Sequence, residues 1–390
     1  MTTTRRSVLG MIGTSGAVLT IGGASGAVSA STPASVDVRA FDRFVGEQAA
    51  ADAFSGNVLL VHRGRTVLAR SCARANDAAP NGPDTLFAMA SVTKLFTSVA
   101  IAQLVQAGRI AYTGTLGSCL SGFPAEMADA VRIHHLLTHT SSLGDTFMMP
   151  GYEQEALTWT GVDQVMNGTT DYIRRSSLEF APGSGFRYSN AGYHVLGAIV
   201  AQVSGMSYYD YVREHVLRPA GMTATDFYTR EQWHTDPRIA RPYARRPSGE
   251  RVDTIDQRLY VGTPSGDAFT TCADMARFAR ALRGSTLLDR AFTGITLSGK
   301  VPLPPQPGPP GRVPPVGFQC YGPMTLLIGG QWVTGHSGGA PGTATDFQMY
   351  PDSDWVTVIL SNYDYDGGPP PVVMKARDTI TAAGMPGHSG

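Results

Sequence analysis

Ser91-Val92-Thr93-Lys94 sets a hydroxyl and an amine three residues apart. If that stretch opens a helix, the i, i+3 spacing brings both side chains onto one face, and the helix N-terminus favours negative charge developing beside it. A serine hydroxyl is a weak nucleophile until a base takes its proton, and a lysine kept neutral by burial or by its neighbours can be that base. Lys94, Lys300 and Lys375 are the only lysines in the chain. That scarcity gives the pairing weight, although Ser-x-x-Lys also arises by coincidence.

Two further clusters supply what this pair lacks. Tyr188-Ser189-Asn190 follows the turn-forming Ala181-Pro182-Gly183-Ser184-Gly185 and precedes an apolar helical stretch through Tyr193, Leu196 and Val200. A loop held between a turn and a helix can aim a phenol and a carboxamide into a cleft, where tyrosine relays a proton and asparagine holds a carbonyl or an ammonium. The same residues also read as a plain helix start, with Asn190 as N-cap and Tyr188 packing beside it. His336-Ser337-Gly338-Gly339, reached from the strand-like Gln331-Trp332-Val333-Thr334, offers a hydrogen-bonding ring, a hydroxyl and backbone amides left open by glycine. Such a run can line a cleft along a strand edge, but in a chain with 45 glycines it means little by itself.

Other candidates carry less. His139 and Asp145 allow a competing Ser-His-Asp mechanism, but no Gly-x-Ser-x-Gly elbow precedes them, and a histidine holding a turn is the better reading. His134 and His135 suit a polar helix start. Cys72, Cys119, Cys272 and Cys320 lie far apart with no metal-ligand spacing, so neither a metal nor another cofactor is implied. Disulfides and buried free thiols both remain open for them.

The bulk composition narrows the class. Hydrophobic residues make up 42% and charged residues 16% of 390, and 31 basic residues balance 31 acidic ones. A chain of this kind buries a sizeable core and is neither disordered nor a polyanion binder, so no nucleic-acid partner is expected. Thr4-Arg5-Arg6-Ser7-Val8-Leu9 leads into a mildly apolar run ending at Val28-Ser29-Ala30, the pattern of a twin-arginine export signal cut near Ala30. The expectation is a secreted protein without stable membrane insertion after processing, since no later segment is long and apolar enough to span.

Several elements must position these residues. Val36 to Ala53 has helical spacing, and Asn57–His62 and Arg65–Ala69 around Arg63-Gly64 form a hairpin pattern. Ser91 to Ala107 reads as a helix with one apolar face, stopped by Gly108. The middle, roughly 110 to 260, is helix-rich; strands return at Met324–Ile328, Gln331–Thr334, Thr345–Tyr350 and Trp355–Leu360, before a helix over Val372–Ala382. Val301–Pro315, with eight prolines, reads as an extended loop. The predicted fold is α/β (α+β): an antiparallel sheet flanked by helices, built from 31–90 and 265–390, with an all-helical second lobe over about 91–264 beside it and a cleft between.

Together the three clusters resemble the penicillin-recognising serine enzymes, in the branch of class C β-lactamases, serine D-Ala-D-Ala carboxypeptidases of streptomycete type and β-lactamase-like esterases. Leu136-Leu137-Thr138-His139-Thr140-Ser141-Ser142-Leu143 is similar to that family's Leu-Leu-Thr-His-Thr-Ser-Gly-Leu segment. Phe269 to Phe278 is similar to its Ser-Thr-Ala-x-Asp-Leu-Ala-Arg-Phe helix. The resemblance implies a β-lactamase/transpeptidase-like fold, Ser91 as the acylated nucleophile, and Lys94 and Tyr188 as the proton-moving pair, with either as formal base. It implies Asn190, His336, Ser337 and Gly338 as substrate-binding residues, and the backbone N–H groups of Ser91 and Gly339 as an oxyanion hole. His336 stands where β-lactamases of this class carry lysine, which argues against strong β-lactamase activity, and Ser142 stands where glycine is usual. The expected partner is a small-molecule or peptide acyl donor. The leading expectation is a D,D-carboxypeptidase-like or D-amino-acid-directed hydrolase. An esterase or acyltransferase of small molecules and a non-catalytic cell-wall-sensing module are the alternatives.

Overall fold

A computed structural model describes residues 36–304, 314–365 and 370–382. The export-signal pattern and the prolines of 305–313 lie outside the described residues. The first helix, Val38–Ala50, is capped by Asp37, whose carboxylate accepts from Ala40 N, and it buries Phe41 and Val45. The hairpin forms as the sequence indicates, with β1 (Gly56–His62) and β2 (Arg65–Cys72) joined by Arg63 at φ 50° and Gly64 at φ 71°. Two positive φ values make the twisted turn that suits paired strands.

Two short pairs sit within the middle of the chain: β3 (Phe87–Ala88) with β6 (Phe269–Thr270), and β4 (Tyr243–Arg245) with β5 (Arg251–Asp253). The late strands are β7 (Val301–Pro302), β8 (Val316–Gln319), β9 (Met324–Ile328), β10 (Gln331–Ala340), β11 (Thr343–Tyr350) and β12 (Trp355–Ser361). They close on the hairpin as one antiparallel eight-stranded sheet in the order β2-β1-β12-β11-β10-β9-β8-β7. Val301 and Pro302 therefore belong to the sheet edge, not to a loop: they pair with Gln319 and Phe318, and an edge strand is where proline is tolerated.

Strand alternation divides the core. On β12, Val356, Val358 and Leu360 face the helical side, while Trp355 and Ile359 pack against the Val38–Ala50 and Pro371–Ala382 helices on the other face. A sheet covered on both faces reads as nearly continuous apolar sequence, as in Trp355–Leu360. On the helical side Phe96, Phe278 and Phe347 form an edge-to-face chain with centroids 5.3 and 5.9 Å apart, tying the Lys94–Gln106 helix through Cys272–Arg283 to the sheet. The one-faced helix expected from Ser91 is instead a 3₁₀ turn over Ala90–Thr93 followed by an α-helix over Lys94–Gln106, buried all round as far as Ala102. It runs through the middle of the core, so no polar face is needed.

Candidate active site

Ser91 sits in the 3₁₀ turn, directly after Ala90 at φ 44°. A left-handed alanine costs free energy and persists only where its surroundings over-determine it. Here Ala90 O accepts from Thr93 Oγ1 at 2.8 Å and from Asp267 N at 3.1 Å, while Ala268 N donates to Thr93 Oγ1 at 3.0 Å. The turn is thus sewn to the 265–268 segment, and Ser91 is left half-buried at the cleft.

Lys94, 0% exposed, points back along the turn. Its Nζ lies 3.1 Å from Ser91 Oγ, 2.7 Å from Asn190 Oδ1 and 2.6 Å from the Ser265 carbonyl. Burial lowers its pKa from 10.5 to about 7, with Asp145 and Asp267 pulling partly the other way. Desolvation penalises the ammonium form, so the amine is available near neutrality. A neutral amine has two N–H donors and one lone pair. The two shorter contacts are to oxygens that can only accept, which leaves the lone pair for the Ser91 hydroxyl.

Tyr188 precedes a helix that starts at Asn190, with Ser189, not Asn190, as N-cap: Ser189 Oγ accepts from Gly192 N at 2.8 Å and donates to Gly144 O at 2.7 Å. That shift by one residue frees the Asn190 amide to face Lys94. The Tyr188 hydroxyl interacts with the Ser91 side chain, and burial raises its pKa, so the phenol stays protonated. Lys94 Nζ lies 4.8 Å from the Tyr188 ring centre. His139 holds this tyrosine from both sides in sequence. Its carbonyl accepts from Arg187 N at 2.9 Å, its Nδ1 accepts from Ser189 N at 3.0 Å, and its ring lies 4.4 Å from the phenol ring. Fully buried beside Lys94, His139 is held neutral. Asp145 does not meet it as a triad partner would; Asp145 Oδ1 accepts from Asn190 Nδ2 at 3.0 Å and from Phe147 N at 3.1 Å.

The strand read over Gln331–Thr334 runs on through the glycine-rich stretch as β10 to Ala340. A Cβ on Gly338 would stand 2.5 Å from Met89 O and 3.0 Å from Ala90 Cβ. The strand therefore meets the Ser91 turn backbone to backbone, which only glycine permits. Thr345 Oγ1 donates to Met89 O at 2.8 Å from the neighbouring strand. His336 is buried near Tyr188, ring centres 6.3 Å apart, with Nδ1 2.6 Å from Ser337 O, and burial beside Lys94 depresses its pKa to about 3. Ser337 points elsewhere. Side chains alternate along a strand, and its hydroxyl donates to Asp346 Oδ1 at 2.7 Å and lines a separate cavity behind β10. Gly335 to Gly339 also spells Gly-x-Ser-x-Gly, but it lies within a strand and not on the strand-to-helix turn that exposes a nucleophile.

Ser91 and Asn190 open on a cleft of about 380 Å³ whose strand-side edge is Gly339, Ala340 and Pro341. Phe147, Tyr228 and Trp233 supply apolar wall, and Arg258, reaching across from the 255–258 turn, donates to Pro341 O at 2.5 Å and Thr343 Oγ1 at 2.9 Å. The β10–β11 turn is thereby fixed against the helical part of the chain.

Residues 41–378 match the family model described as beta-lactamase. The chain belongs to the beta-lactamase family. Among its relatives, penicillin-binding protein 4* of Bacillus subtilis is 29% identical over 350 residues, 84% of this chain and 72% of that protein. Esterase EstB of Burkholderia gladioli is 35% identical over 202 residues, 48% of this chain and 50% of the esterase. A crystal structure of a penicillin binding protein from Bacillus halodurans superposes with a TM-score of 0.73 at 27% identity, covering 87% of this chain and 98% of that one. This member is therefore a serine hydrolase of the β-lactamase and penicillin-binding protein family, with the mixed helix and antiparallel-sheet fold that the motifs implied.

Asp145, Ser265, Asp267 and Arg258 were not singled out as parts of this member's site from sequence, except Asp145 in a triad role it does not take. Their partners lie far away in the chain, as Asn190 does from Asp145 and Thr343 from Arg258, and such contacts leave no motif. Ser142, in place of the usual glycine, adopts φ 68° and is held there by Phe180 N donating to its Oγ at 2.6 Å. Cys72, Cys119, Cys272 and Cys320 are all free thiols.

Proposed function

We propose that this protein is an exported, D,D-carboxypeptidase-like or D-amino-acid-directed hydrolase that forms an acyl-enzyme on Ser91 with Lys94 as the base. The observation that carries this reading is the Lys94 environment: an amine brought to about 7 by burial, with both its N–H donors occupied and its lone pair turned to a hydroxyl 3.1 Å away. Lys94 takes the Ser91 proton as Oγ bonds to the substrate carbonyl carbon. The resulting oxyanion is received by the backbone N–H groups of Ser91 and Gly339, and each such donor is worth roughly 10² to 10³ in rate. The C–N or C–O bond then breaks as the leaving atom takes the Tyr188 phenolic proton, which the Lys94 ammonium replaces. Water repeats the sequence in reverse order, releasing the acid and restoring Ser91.

The protonated state of Tyr188 supports Lys94 over the phenol as the initial base, a choice the motifs alone left open. A second reading, an esterase or acyltransferase of small molecules, is favoured by His336. Held neutral, it gives the β10 edge no cation for a substrate carboxylate, and one of the relatives is an esterase.

Intact-mass spectrometry after exposure to a β-lactam and to a p-nitrophenyl ester tests the shared step. One acyl adduct per chain is expected in the wild type and none in Ser91→Ala; an adduct that survives the substitution removes Ser91 from the mechanism. Turnover of an N-acyl-D-Ala-D-Ala peptide then separates the carboxypeptidase reading from the esterase reading, which predicts ester cleavage only.

A further inference from the structure

Ser337 turns its hydroxyl away from the cleft, and on the far face of β10 it borders a second cavity, of about 460 Å³. Strand alternation sets Ser337 and Gly339 of β10 on that face with their cross-strand partners Asp346 and Ala344 of β11. The floor is open at Gly339, where a Cβ would meet nothing within 4 Å. Ala344, Tyr365, Pro370 and Val373 make the walls largely apolar.

Charge in this cavity has a single sign: among the described residues, Asp346 and Asp364 are its only charged lining side chains. Asp364 is already engaged. Its Oδ1 accepts from Arg245 N at 3.1 Å, its Oδ2 accepts from Gly342 N at 3.1 Å, and Arg251 Nη1 lies 3.9 Å from Oδ1. Asp346, 2% exposed, is half satisfied. Its Oδ1 accepts from Ser337 Oγ at 2.7 Å and from Gln348 Nε2 at 2.9 Å, while its Oδ2 receives no hydrogen bond among the described residues. Arg377, whose charge it feels, makes no ion pair with it within 4.0 Å. Taking a carboxylate out of water without a counter-ion is costly, and burial accordingly holds the Asp346 carboxyl above the usual range.

We infer that this cavity is a second binding site, for a small organic ammonium ion with an apolar body, whose N–H is donated to Asp346 Oδ2. A bare metal ion is the poorer fit, since no group of three metal-binding side chains exists among the described residues. An apolar space of this size with one well-placed polar group suits an organic ligand. Gly339, Ala340 and Pro341 line both this cavity and the Ser91 cleft, so a single strand of backbone separates the two occupants. An amine that shifts this wall moves the Gly339 N–H, and with it the rate of acylation. That coupling rests on the acyl-enzyme reading; the binding itself does not.

Calorimetric titration with protonated N,N-dimethylbenzylamine at mildly alkaline pH tests the site, with benzyl alcohol as the neutral control. Saturable binding of one amine per chain is expected, roughly tenfold or more tighter than the alcohol, the scale of a charge-assisted hydrogen bond. Asp346→Asn keeps an acceptor for Ser337 and Gln348 but loses the charge, and Ala344→Leu fills the cavity without touching the charge. Both are expected to abolish the preference, whereas Ser91→Ala and Asp145→Asn, which alter the cleft, keep it. Absence of saturable binding, equal affinity for amine and alcohol, or binding that survives both cavity variants overturns the inference. So does binding lost in Asp145→Asn, which would put the amine in the cleft. A tertiary amine cannot retain an acyl group, so an effect on p-nitrophenyl ester turnover that follows the binding curve and vanishes in Asp346→Asn reports the coupling and not aminolysis. Turnover indifferent to bound amine removes the coupling. Turnover that persists in Ser91→Ala removes the acyl-enzyme reading and leaves the binding result standing.

Discussion

Asn190 donates its Nδ2 to Asp145 Oδ1 at 3.0 Å, and that contact decides which end of the amide meets Lys94. A carboxylate only accepts, so the Asn190 oxygen is turned to Lys94 Nζ at 2.7 Å. Asp145 also favours the ammonium form of Lys94 through its charge. The base must be neutral, so activity rises with pH through the Lys94 pKa, and the acid limb of kcat/KM is expected near 7. Asp145→Asn removes the charge and should move that limb to lower pH, whereas Asn190→Asp places a negative charge against the amine and should move it to higher pH. Profiles of both variants against one ester substrate check the opposite signs; a common direction excludes Lys94 as the titrating group.

Burying Lys94 costs stability in a pH-dependent way. Its folded pKa of about 7 lies below its unfolded 10.5, so between these values the unfolded chain binds more protons. Unfolding free energy should therefore rise with pH across that window, by up to roughly 1.4 kcal/mol per unit from this group, with the full penalty present below about 7. Lys94→Met removes the term. Its stability relative to wild type should be most favourable at or below pH 7 and decline toward pH 10, even though Asn190 Oδ1 and Ser265 O lose a donor. Urea melts at matched pH values measure the difference.

A phenol that serves the leaving group matters most when that group is a poor one. Tyr188→Phe is expected to slow amide or peptide turnover by about 10² to 10⁴, while p-nitrophenolate, which needs no proton to depart, should leave with a much smaller loss in the acylation rate. Equal losses for both substrates would assign Tyr188 to Ser91 activation.

His139 at φ 58° presents an acceptor to Ser189 N and a ring to Tyr188. His139→Asn keeps an acceptor and tolerates the left-handed backbone, while His139→Phe keeps a ring but loses the acceptor and strains the turn. The phenylalanine variant should lose kcat and stability, and asparagine should retain more of both. Retention by phenylalanine alone would show that ring packing is what counts.

Neighbouring glycines on β10 should respond differently to one methyl group. Gly338→Ala drives its Cβ against Met89 O and should cost about 1–3 kcal/mol, with loss of activity as the strand is pushed from the Ser91 turn. A Cβ at Gly339 meets nothing within 4 Å, so Gly339→Ala should be close to neutral in thermal melts. Similar destabilisation of both contradicts the close approach at Gly338.

Local patterns were enough to recognise the parts. The Arg63-Gly64 turn, the helix after Ser91 and the strand runs are each determined within a few residues by φ preferences and apolar periodicity. Ser91 and Lys94 stand out because lysine is scarce here and their spacing short, and Tyr188 and Asn190 because they lie together between a turn and a helix. Apolar periodicity carried β10 only from Gln331 to Thr334, and the need for glycine at 338 is visible only once the Met89 carbonyl it must clear is in place. Strand alternation was equally invisible in His336-Ser337, where only pairing with β11 sends the hydroxyl to Asp346.

What tertiary structure alone decided is electrical. Lys94 is brought to about 7 because helices and the 265–268 segment remove its water, Tyr188 stays protonated for the same reason, and His336 is neutral. That Arg258 is compensated depends on Asp267 reaching it at 3.1 Å. Desolvation and charge pairing are set by everything that packs around a group, from positions far apart in the chain, whereas residue type and spacing report only what each side chain could become.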